Sequence, residues 1–551
     1  MILGINCYMQ DSAACLLDDR GEIVAAVEEE RLSRIKHTGR FPELAIRWCL
    51  EQAGHPDVRH TAFNMKPWRG LASRAGQAVA GLPQSLDMVR TRGSSWGDMA
   101  RVRSRLADSL GRSDFRHHWI SHHRAHAASA FYASDFDEAQ VLVADGSGEL
   151  ASTTLWIGDS DGLRLVHCID FPNSFGYFYS AMTQWLGFTP AVAEGKVMGL
   201  SAYAEPDPAM ARFFSSMLQG DGRIDASWFG YQHGGTRYYS ERWVDAFGAP
   251  RAPESDLTDL HYRVAASGQH RLEEVLFGLL RTHYSGSRNL CLAGGVALNC
   301  AMNGKIVEQT PYERIFVQPA AQDAGTAYGA ALAVHCEQLG RLRPPPMRTV
   351  AHGPAFDERS IDEAIAQAGL TAQVSNAPAV DAARLLADGL VLGWFQGRTE
   401  LGPRALGQRS ILADPRSADM VARVNDRVKH REGFRPFAPA VLASEASDWF
   451  EGTPTPFMTV VCTVRPSRRT QIAAVTHVNG TARVQTVSPA QPEFHALITA
   501  FAQLTGVPMV LNTSFNVRGE PIVCRPAEAI HDFLATDMDA LMLENRLIRK
   551  N

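Results

Sequence analysis

Two histidines spaced four residues apart suggest a metal site in the first third of the chain. His122 and His126 occur in the run Ser-His-His-Arg-Ala-His-Ala-Ala that begins at Ser121. On a helix, residues i and i+4 project from one face, so both imidazoles could bind the same divalent cation. Imidazole alone suits zinc, copper, iron or nickel, and added carboxylates favour iron or manganese. The alternative is a pair of incidental histidines at a solvated helix start.

Two aspartates near strand ends strengthen the metal hypothesis. Asp145 opens Asp-Gly-Ser-Gly-Glu after an apolar strand, with Gly146 and Gly148 beside it, and Asp323 opens Asp-Ala-Gly-Thr-Ala after a second strand-like run. Carboxylates beside glycines can face phosphates or the metal that accompanies them. Two histidines and two aspartates would form a nitrogen-and-oxygen site with room for water or phosphate. Taken singly, each aspartate could be an ordinary turn residue.

Two further motifs carry groups that could meet an anion. A strand from Leu290 runs into Gly294-Gly295, where a helix begins, and the glycines allow close approach of a ligand to the free amides. Asn299 follows on the helix and could meet a base or ribose. Lys196, in Glu-Gly-Lys-Val-Met-Gly-Leu, could contact a phosphate or carboxylate, although the motif is not a Walker A loop. The alternatives are a tight turn with exposed asparagines and a surface lysine.

The C-terminal third holds the densest group of cations. Arginine binds phosphate through two parallel hydrogen bonds, and lysine adds a point charge. So many cations in a chain of net charge -5 favour a pocket for ATP and a second small anion. A basic face for a protein or RNA partner is the alternative. The group comprises Arg398, Arg404, Arg409, Lys429, Arg431, Arg435, His477 and Arg483, with Ser514 and Asn516 in the later run Asn-Thr-Ser-Phe-Asn.

The elements that must position these residues recur along the chain. Three short apolar runs in the first 30 residues predict three consecutive strands. Residues Val141 to Ile169 repeat that order, with an acidic glycine loop after the first strand. The repetition predicts an α/β, duplicated ribonuclease-H-like fold, the arrangement of actin, sugar kinases and chaperone ATPases. The proline-rich segment from Arg341 to Pro354 predicts a linker. We therefore expect domains at residues 1–345 and 355–551.

Bulk composition narrows the class of protein. The 551 residues exceed the usual size of one domain, and 21% charged with 45% hydrophobic residues is an ordinary globular balance. Nine cysteines without a C-x-x-C pair favour a reducing cytoplasm over a disulfide framework. No signal peptide or apolar run long enough for a transmembrane helix is evident. We expect a cytoplasmic protein with no nucleic-acid or membrane partner. The sequence leaves the oligomeric state open, a homodimer included.

Together these motifs resemble the O-carbamoyltransferases of antibiotic and nodulation-factor biosynthesis, of the nebramycin, cephalosporin and nodulation-factor type. The resemblance runs from residue 1 to about residue 545. The motifs that carry it are Gln10-Asp11-Ser12-Ala13-Ala14, Glu29-Glu30-Arg31, His122-x-x-x-His126, Asp145-Gly146-x-Gly148-Glu149, Gly195 to Leu200, Gly294 to Asn299, Asp323-Ala324-Gly325, Gly402 to Gly407, Phe434 to Pro439, Gly480 to Gln485 and Asn512 to Asn516.

The resemblance implies a reaction in two stages. A YrdC-like C-terminal domain would take carbamoyl phosphate and ATP with Mg²⁺ and form carbamoyl adenylate. The actin-like N-terminal domain would bind the adenylate next to a metal, with Fe²⁺ favoured, and pass the carbamoyl group to a hydroxyl of a small-molecule acceptor. By motif match, the C-terminal anions would be held by Arg404, Lys429, Arg435, His477, Arg483, Ser514 and Asn516, and the metal by His122, His126, Asp145 and Asp323.

Other roles follow from the same resemblance, and two positions depart from it. Lys36 resembles a residue near the adenylate, whose binding would also involve Gly146, Gly148, Lys196, Gly294, Gly295 and Asn299. The first loop usually reads His-Asp-Ser-Ala, but here Gln10 replaces the histidine and cannot take a proton at neutral pH, so Asp11 is the candidate base. Asn479 stands where aspartate is usual, which could weaken magnesium or anion handling. Acceptor-binding loops are expected between Trp68 and Ser113 or between Asp207 and Arg251.

Other classes of function stay open at this point. A tRNA-modifying threonylcarbamoyl system shares both folds, but the acidic net charge and the lack of a basic tract argue against it. A sugar kinase or chaperone ATPase would explain the duplication but not the cations of the C-terminal third. A family member with an altered acceptor or altered chemistry, or a nucleotide-binding protein without catalysis, would fit Gln10 and Asn479. The sequence does not identify the acceptor.

Overall fold

The computed structural model describes residues 1–69, 97–233 and 236–550, which form two compact units. The first unit comprises Met1–Val24 and Gly39–Met347, and the second comprises Ala25–Thr38 and Arg348–Asn551. The change of unit after Met347 falls within the segment whose prolines predicted a linker. That segment 25–38 belongs to the second unit is a feature that nothing in the sequence indicated.

The first unit holds two five-stranded sheets among its described residues, except that the strand β3 continues from residue 25 into the segment assigned to the second unit. Their orders are β3-β2-β1-β4-β5 and β10-β9-β6-β7-β8. In the first sheet, β1 pairs antiparallel with β2 and parallel with β4, and β4 pairs parallel with β5. In the second sheet, β6 pairs antiparallel with β7 and parallel with β9, and β9 pairs parallel with β10. The strands are β1 Ile2–Asn6, β2 Ala13–Leu17, β3 Ile23–Glu28, β4 His60–Phe63, β5 Arg116–Trp119, β6 Ala139–Ala144, β7 Ala151–Asp159, β8 Gly162–Asp170, β9 Asn289–Ala293 and β10 Arg314–Val317.

The identical strand order confirms the predicted duplication. Each sheet consists of a three-stranded meander with two parallel strands added beside its first strand. A helix follows the fifth strand of each half, His122–Phe131 after β5 and Ala324–Leu332 after β10. The other α-helices of this unit are Glu43–Gln52, Val102–Leu110, Phe175–Trp185, Glu194–Leu200, Pro208–Met217, Glu241–Phe247, Asp259–Thr282, Cys300–Asn303 and Ile306–Gln309.

Glycines let the two equivalent helices pack at backbone distance. A Cβ added to Gly329 would lie 1.8 Å from the main-chain oxygen of Ala125, so helices His122–Phe131 and Ala324–Leu332 touch through bare backbone. A Cβ on Gly4 of β1 would lie 2.0 Å from the oxygen of Ala327. Larger side chains at these positions would separate the helices, because nothing soft can move aside. The close packing fixes where both helices begin, and three of the four metal-site candidates, His122, His126 and Asp323, lie at those beginnings.

The second unit is an α/β domain around a mixed sheet of eight strands in the described chain. Its order is β11-β21-β20-β12-β13-β19-β14-β18, with β12–β20 and β14–β18 parallel, and β15, β16 and β17 form a small separate sheet. The strands are β11 Gln373–Val374, β12 Leu392–Phe395, β13 Arg409–Ala413, β14 Ala438–Leu442, β15 Phe450–Glu451, β16 Val461–Val464, β17 Thr481–Arg483, β18 Gln485–Val487, β19 Met509–Ser514, β20 Ala540–Leu543 and β21 Arg546–Arg549.

Helices cover this sheet and carry its amphipathic faces. Pro378–Ala387 buries Ala382, Leu385 and Leu386 and packs against Pro492–Thr505, as expected from apolar residues at helical spacing. The remaining α-helices are Glu29–Ser33, Glu358–Gln367, Asp419–Val424, Ala446–Trp449 and Pro526–Ala535. Among the described residues, no helix combines the length and apolar character that crossing a membrane would require.

Candidate functional site

Four side chains of the first unit form a compact cluster with the composition of a metal site. His122 Nε2 lies 3.1 Å from Asp145 Oδ2 and 3.4 Å from Asp323 Oδ1. His126 Nε2 lies 3.5 Å from Asp323 Oδ1 and 3.2 Å from His122 Nε2. Two ligand atoms that each lie about 2.0–2.2 Å from one ion are on the order of 3–3.5 Å apart, which matches the separations in this cluster. The four residues therefore fit a single divalent cation.

The duplicated fold explains why residues so distant in sequence meet. His122 and His126 lie on the first two turns of the helix after β5, and Asp323 occupies the N-cap position of the equivalent helix after β10. Asp145 directly follows β6, the first strand of the second sheet. Strand ends and helix starts collect at one edge of such folds, which is where polar side chains can be presented without disrupting the core.

The electrostatics of the cluster call for positive charge. Burial opposes protonation of His122, but attraction from Asp323 and the hydrogen bond with Asp145 outweigh it and raise the pKa of His122 well above its usual value. Burial raises the pKa of Asp145 and Asp323, but the neighbouring imidazoles reverse the effect and lower both pKa values. Two buried carboxylates thus demand a cation beside them, either a proton on the imidazole or a metal ion.

The predicted glycine loops adjoin this cluster. The amide of Gly295 donates to Asp145 Oδ1 at 3.2 Å, and Gly294 has a φ of +88° with no room for a Cβ against Ala144. A Cβ on Gly148 would lie 3.2 Å from Cβ of His122. Gly146 is more open, because a Cβ there would meet only the ring of Tyr177, at 3.7 Å. The structure therefore brings these glycines together around the acidic loop.

Two other predicted adenylate contacts have different surroundings. Asn299 accepts a hydrogen bond from the Met302 amide at 3.0 Å and exchanges hydrogen bonds with the side chain of Gln269, so its amide group caps a short helix. The helix predicted directly after the glycine pair is a 3₁₀ turn, Gly295–Leu298, followed by Cys300–Asn303. Lys196 lies on the helix Glu194–Leu200, with Nζ 5.3 Å from the ring centroid of Phe188.

Two residues beside the metal cluster had no role in the sequence analysis. The carboxylate of Glu149 accepts the amide of His122 at 3.1 Å and that of Lys66 at 3.0 Å, so it caps the helix that carries both histidines. Asn64 donates to Asn6 Oδ1 at 2.9 Å and to Thr326 Oγ1 at 2.7 Å, and its Nδ2 lies 3.4 Å from His122 Nδ1. Asn64 follows β4 as Asp145 follows β6, and this position at a strand end was the available signal.

The candidate catalytic residues near the N-terminus divide between the two units. Gln10 is exposed and Asp11 is buried, and their main-chain oxygens accept hydrogen bonds from Asn6 Nδ2 at 2.8 and 2.9 Å. Asp11 has a φ of +51°. Lys36 is exposed and belongs to the second unit. Of the acceptor loops, residues 70–96 lie outside the described part of the chain, as do 234–235 within the second loop.

A second cluster, in the second unit, is built from cations. The segment from Lys429 to Arg435 follows a π-helical turn, and β17 contributes Arg483. Arg431 donates from Nε to Asn425 at 2.7 Å, its carbon Cζ lies 4.4 Å from the centroid of the Phe437 ring, and its Nη2 is buried without a hydrogen-bond partner. The nearest carboxylate to Arg435 in an ion pair is Glu432, 3.9 Å away. We name Lys429, Arg431, Arg435 and Arg483 the anion cluster.

The cations of the anion cluster are buried close to one another, with too few carboxylates nearby among the described residues to balance their charge. Burial and the charges of Arg431 and Arg435 lower the pKa of Lys429 well below its usual value. Burial, Arg435 and Arg483 lower the pKa of Arg431 in the same way. Burial lowers the pKa of Arg435 too, against the opposing effect of Glu432. Buried like charges are costly, and a bound polyanion would relieve them.

Of the remaining C-terminal candidates, Ser514, Asn516 and His477 adjoin the anion cluster. Lys429 Nζ donates to the main-chain oxygens of Ser514 at 2.8 Å and Asn516 at 2.7 Å. The ring of His477 has a hydrogen bond with the backbone of Phe434, next to Arg435, and burial lowers its pKa. Arg404 lies half-buried in the loop between β12 and β13. Asn479 is exposed, and its side chain accepts from Thr481 Oγ1 at 2.7 Å.

Arg409, in contrast, belongs to the core. Its side chain is fully buried and donates to main-chain oxygens of Gln396 at 2.8 Å, Gly397 at 3.0 Å and Pro354 at 3.2 Å. Its guanidinium also lies over the ring of Phe395. The sequence grouped Arg409 with the anion-binding arginines because it shares their glycine-rich surroundings. The structure gives it a different task, which is to satisfy carbonyl groups around the ends of β12 and β13.

Comparison with known proteins identifies the family. The model described as Carbamoyltransferase N-terminus matches residues 1–75 and 99–332, and the one described as Carbamoyltransferase C-terminus matches residues 383–550. "Uncharacterized protein sll1178" of Synechocystis sp. is 40% identical over 100% of this chain and 96% of that protein. "Nodulation protein NolNO" of Sinorhizobium fredii is 39% identical over 99% of this chain and 80% of that protein.

Solved structures resemble the chain only distantly. The activator of the 2-hydroxyisocaproyl-CoA dehydratase from Clostridium difficile is 14% identical with a TM-score of 0.35, and the match covers 62% of this chain and 96% of that one. The sequence matches, in contrast, extend over both units and include the motifs from which the resemblance was inferred. The chain belongs to the carbamoyltransferase family and is a transferase enzyme.

Proposed function

We propose that the protein is an ATP-dependent carbamoyltransferase that acts in two stages. In the second unit, carbamoyl phosphate, ATP and water yield carbamoyl adenylate, pyrophosphate and phosphate. In the first unit, a hydroxyl oxygen of a small-molecule acceptor attacks the carbamoyl carbon, and the bond from that carbon to AMP breaks. The observation that carries the proposal is the anion cluster, because its neighbouring cations, of which burial lowers the pKa of Lys429, Arg431 and Arg435, suit the phosphates of ATP and carbamoyl phosphate.

The arginines would act by binding charge that moves during the reaction. Forming the adenylate transfers AMP from pyrophosphate to a carboxylate oxygen of carbamate, so negative charge accumulates on the departing pyrophosphate. Arg431, Arg435 and Arg483 supply guanidinium donors for these oxygens, and electrostatic stabilisation of developing charge is the largest single contribution in many enzymes. Burial of the arginines strengthens this electrostatic stabilisation, because the effective dielectric constant inside the protein is lower than in water. Mg²⁺ would accompany the ATP phosphates and offset part of their negative charge, as it does in other ATP-using enzymes.

In the first unit, His122, His126, Asp145 and Asp323 would hold a divalent cation, for which Fe²⁺ suits the mixed nitrogen and oxygen ligands. Such an ion would polarise the carbamoyl carbonyl as a Lewis acid. Gly146, Gly148 and Gly295 lie in the loops beside this cluster and would let the adenylate approach closely; the amides of Gly148 and Gly295 already donate to Ala151 and Asp145, which leaves that of Gly146 as the proposed donor to adenylate oxygens. Asp11 is the proposed base for the acceptor hydroxyl, because Gln10 cannot accept a proton.

The test is to incubate the purified chain with Mg²⁺, ATP and ¹³C-labelled carbamoyl phosphate and to analyse products by mass spectrometry. We expect labelled carbamoyl adenylate, AMP and pyrophosphate. The matched control pair is Arg435→Ala, which should abolish all three products, and Arg468→Ala, which removes a cation that lies over Trp449. Formation of ADP would indicate a kinase or ATPase instead. Intact ATP that still binds would indicate another donor or a protein without catalysis.

A further inference from the structure

The segment 25–38 belongs to the second unit although it comes from the N-terminal part of the chain, and the buried side chain of Arg31 connects it to the loop that contains Gly402. Arg31 is fully buried, lies 2.7 Å from Glu28 and also contacts Glu30, and its Nη2 donates to the main-chain oxygen of Gly402 at 2.8 Å. Glu30 in turn accepts the amide of His37 at 2.8 Å. These contacts hold the helix Glu29–Ser33 against the turn that follows it and carries Lys36.

Arg34 extends from this turn to the chain segment that follows β19. Its Nη1 donates to the main-chain oxygen of Ile522 at 2.7 Å, and its Nη2 donates to that of Pro521 at 3.0 Å. The same guanidinium lies 3.3 Å from the carboxylate of Glu520 and 3.4 Å from that of Glu528. One side chain thus makes four polar contacts with residues 520–528. A guanidinium has five N–H donors, so these contacts use most of its hydrogen-bonding capacity.

Residues 520–522, which Arg34 contacts, are hydrogen-bonded through Glu520 to Asn516, and Asn516 contacts Lys429 of the anion cluster. The side chain of Asn516 donates to the main-chain oxygen of Glu520 at 2.8 Å, and its other end receives Ser514 Oγ at 2.8 Å and the ammonium of Lys429. Lys36 is near enough for its charge to contribute to the lowered pKa of Lys429. A chain of direct contacts therefore runs from Arg34 through Glu520 and Asn516 to Lys429.

We infer that Arg34 is a positioning residue for the anion site: it fixes residues 520–522 against the turn that carries Lys36 and so holds Asn516 and Ser514 in place. The inference rests on the proposed function, because it assigns Arg34 a part in binding the same anions. Arg34 itself points its donors at carbonyl and carboxylate groups and makes no contact with the reacting atoms. Its expected effect is on substrate binding and not on the chemical step.

The test uses the full-length chain and inorganic pyrophosphate as the probe, with affinity measured by calorimetry. Arg34 has φ 60° and ψ 17°, the left-handed region, so Arg34→Gly removes the guanidinium while the backbone keeps a conformation that glycine favours. Arg34→Lys restores one point charge. The control is Arg416→Ala, which likewise removes a guanidinium bound to a carboxylate and a carbonyl, those of Asp414 and Ala387 at 2.6 and 3.1 Å.

We expect Arg34→Gly to weaken pyrophosphate binding at least tenfold and to raise the KM for carbamoyl phosphate by a similar factor, with kcat changed less than threefold. Arg34→Lys should fall between this variant and the wild type, and Arg416→Ala should bind pyrophosphate within twofold of the wild type. Binding within twofold of the wild type by Arg34→Gly, or an equal loss in Arg416→Ala, would overturn the inference. A wild type that binds pyrophosphate in an Arg34-dependent way but forms no AMP would refute the proposed function alone.

Discussion

Lys429 holds Ser514 by its main chain: the ammonium Nζ lies 2.8 Å from the Ser514 carbonyl oxygen, at the end of β19. Two oxygens of Asn516 accept the other ammonium donors. Because an ammonium has three N–H groups, these contacts use its full capacity. Lys429 therefore arranges the loop after β19 and contributes charge to the anion cluster. Direct hydrogen bonds to a bound anion then fall mainly to the arginines.

Replacing Arg431 by methionine should weaken anion binding and stabilise the ligand-free protein. Burial and the repulsion from Arg435 and Arg483 lower the pKa of Arg431, so its charged form is disfavoured in the folded state. We expect at least a tenfold loss of pyrophosphate affinity, about 1.4 kcal/mol, together with a higher melting temperature without ligand. Calorimetry and thermal unfolding measure the two effects. A variant with lower stability and unchanged affinity would refute this account of the cluster.

Removing one histidine of the metal cluster should remove the metal, whereas removing its neighbour should not. His126→Ala deletes one of four ligands, and we expect at least a tenfold fall in bound iron or manganese after purification, measured by elemental mass spectrometry. His123 is the matched control. Its Nδ1 lies 2.9 Å from Thr154 Oγ1, and burial and His122 lower its pKa to about 3. His123→Asn should therefore retain the metal. Equal metal content in wild type and His126→Ala contradicts the ligand assignment.

The buried carboxyl of Asp532 should make stability depend on pH. Burial and the charge of Glu520 raise the pKa of Asp532 to about 6, whereas an unfolded aspartate titrates near 3.9. The folded state then holds a proton that the unfolded state loses, so the free energy of unfolding decreases as the pH rises from about 4 to about 6.

Asp532→Asn removes this titration. We expect the variant to exceed the wild type in stability by on the order of 1 kcal/mol at pH 7.5, with the difference disappearing near pH 4. Denaturant unfolding at a series of pH values measures it. Asp537→Asn, at an exposed position five residues further along the chain, should follow the wild-type curve. Parallel pH curves for wild type and Asp532→Asn would rule the explanation out.

Restoring the family's aspartate at position 479 should change little. Asn479 is exposed, and its Oδ1 accepts from the amide of Thr481 at 3.3 Å and from its hydroxyl at 2.7 Å. An aspartate can accept the same two hydrogen bonds. We expect Asn479→Asp to alter AMP formation less than twofold over a range of Mg²⁺ concentrations. A marked fall in the Mg²⁺ required would instead assign position 479 to magnesium binding.

Regular patterns in the sequence were sufficient for the fold. Short apolar runs predicted strands such as β2 and β6, because a strand that is buried along its whole length reads as a continuous apolar run. The repeated meander likewise predicted the duplication, which the strand order confirms. The residue types of Met458 to Val461 would suit a strand, yet β16 begins only at Val461 and Met458 itself has a φ of +55°. Turn conformations of this kind depend on neighbours that a linear pattern does not reveal.

The sequence by itself determined the residue types, the motifs and thereby the family, because chemistry requires particular side chains at particular spacings. Tertiary structure alone decided which of them act together. It separated Arg409, whose donors satisfy core carbonyl groups, from the arginines of the anion cluster, with which residue type alone had grouped it. It also added Arg34 to the second unit from a distant part of the chain. Such contacts join residues that are hundreds of positions apart. They are determined by burial and hydrogen bonding in the folded chain, which the local sequence does not encode.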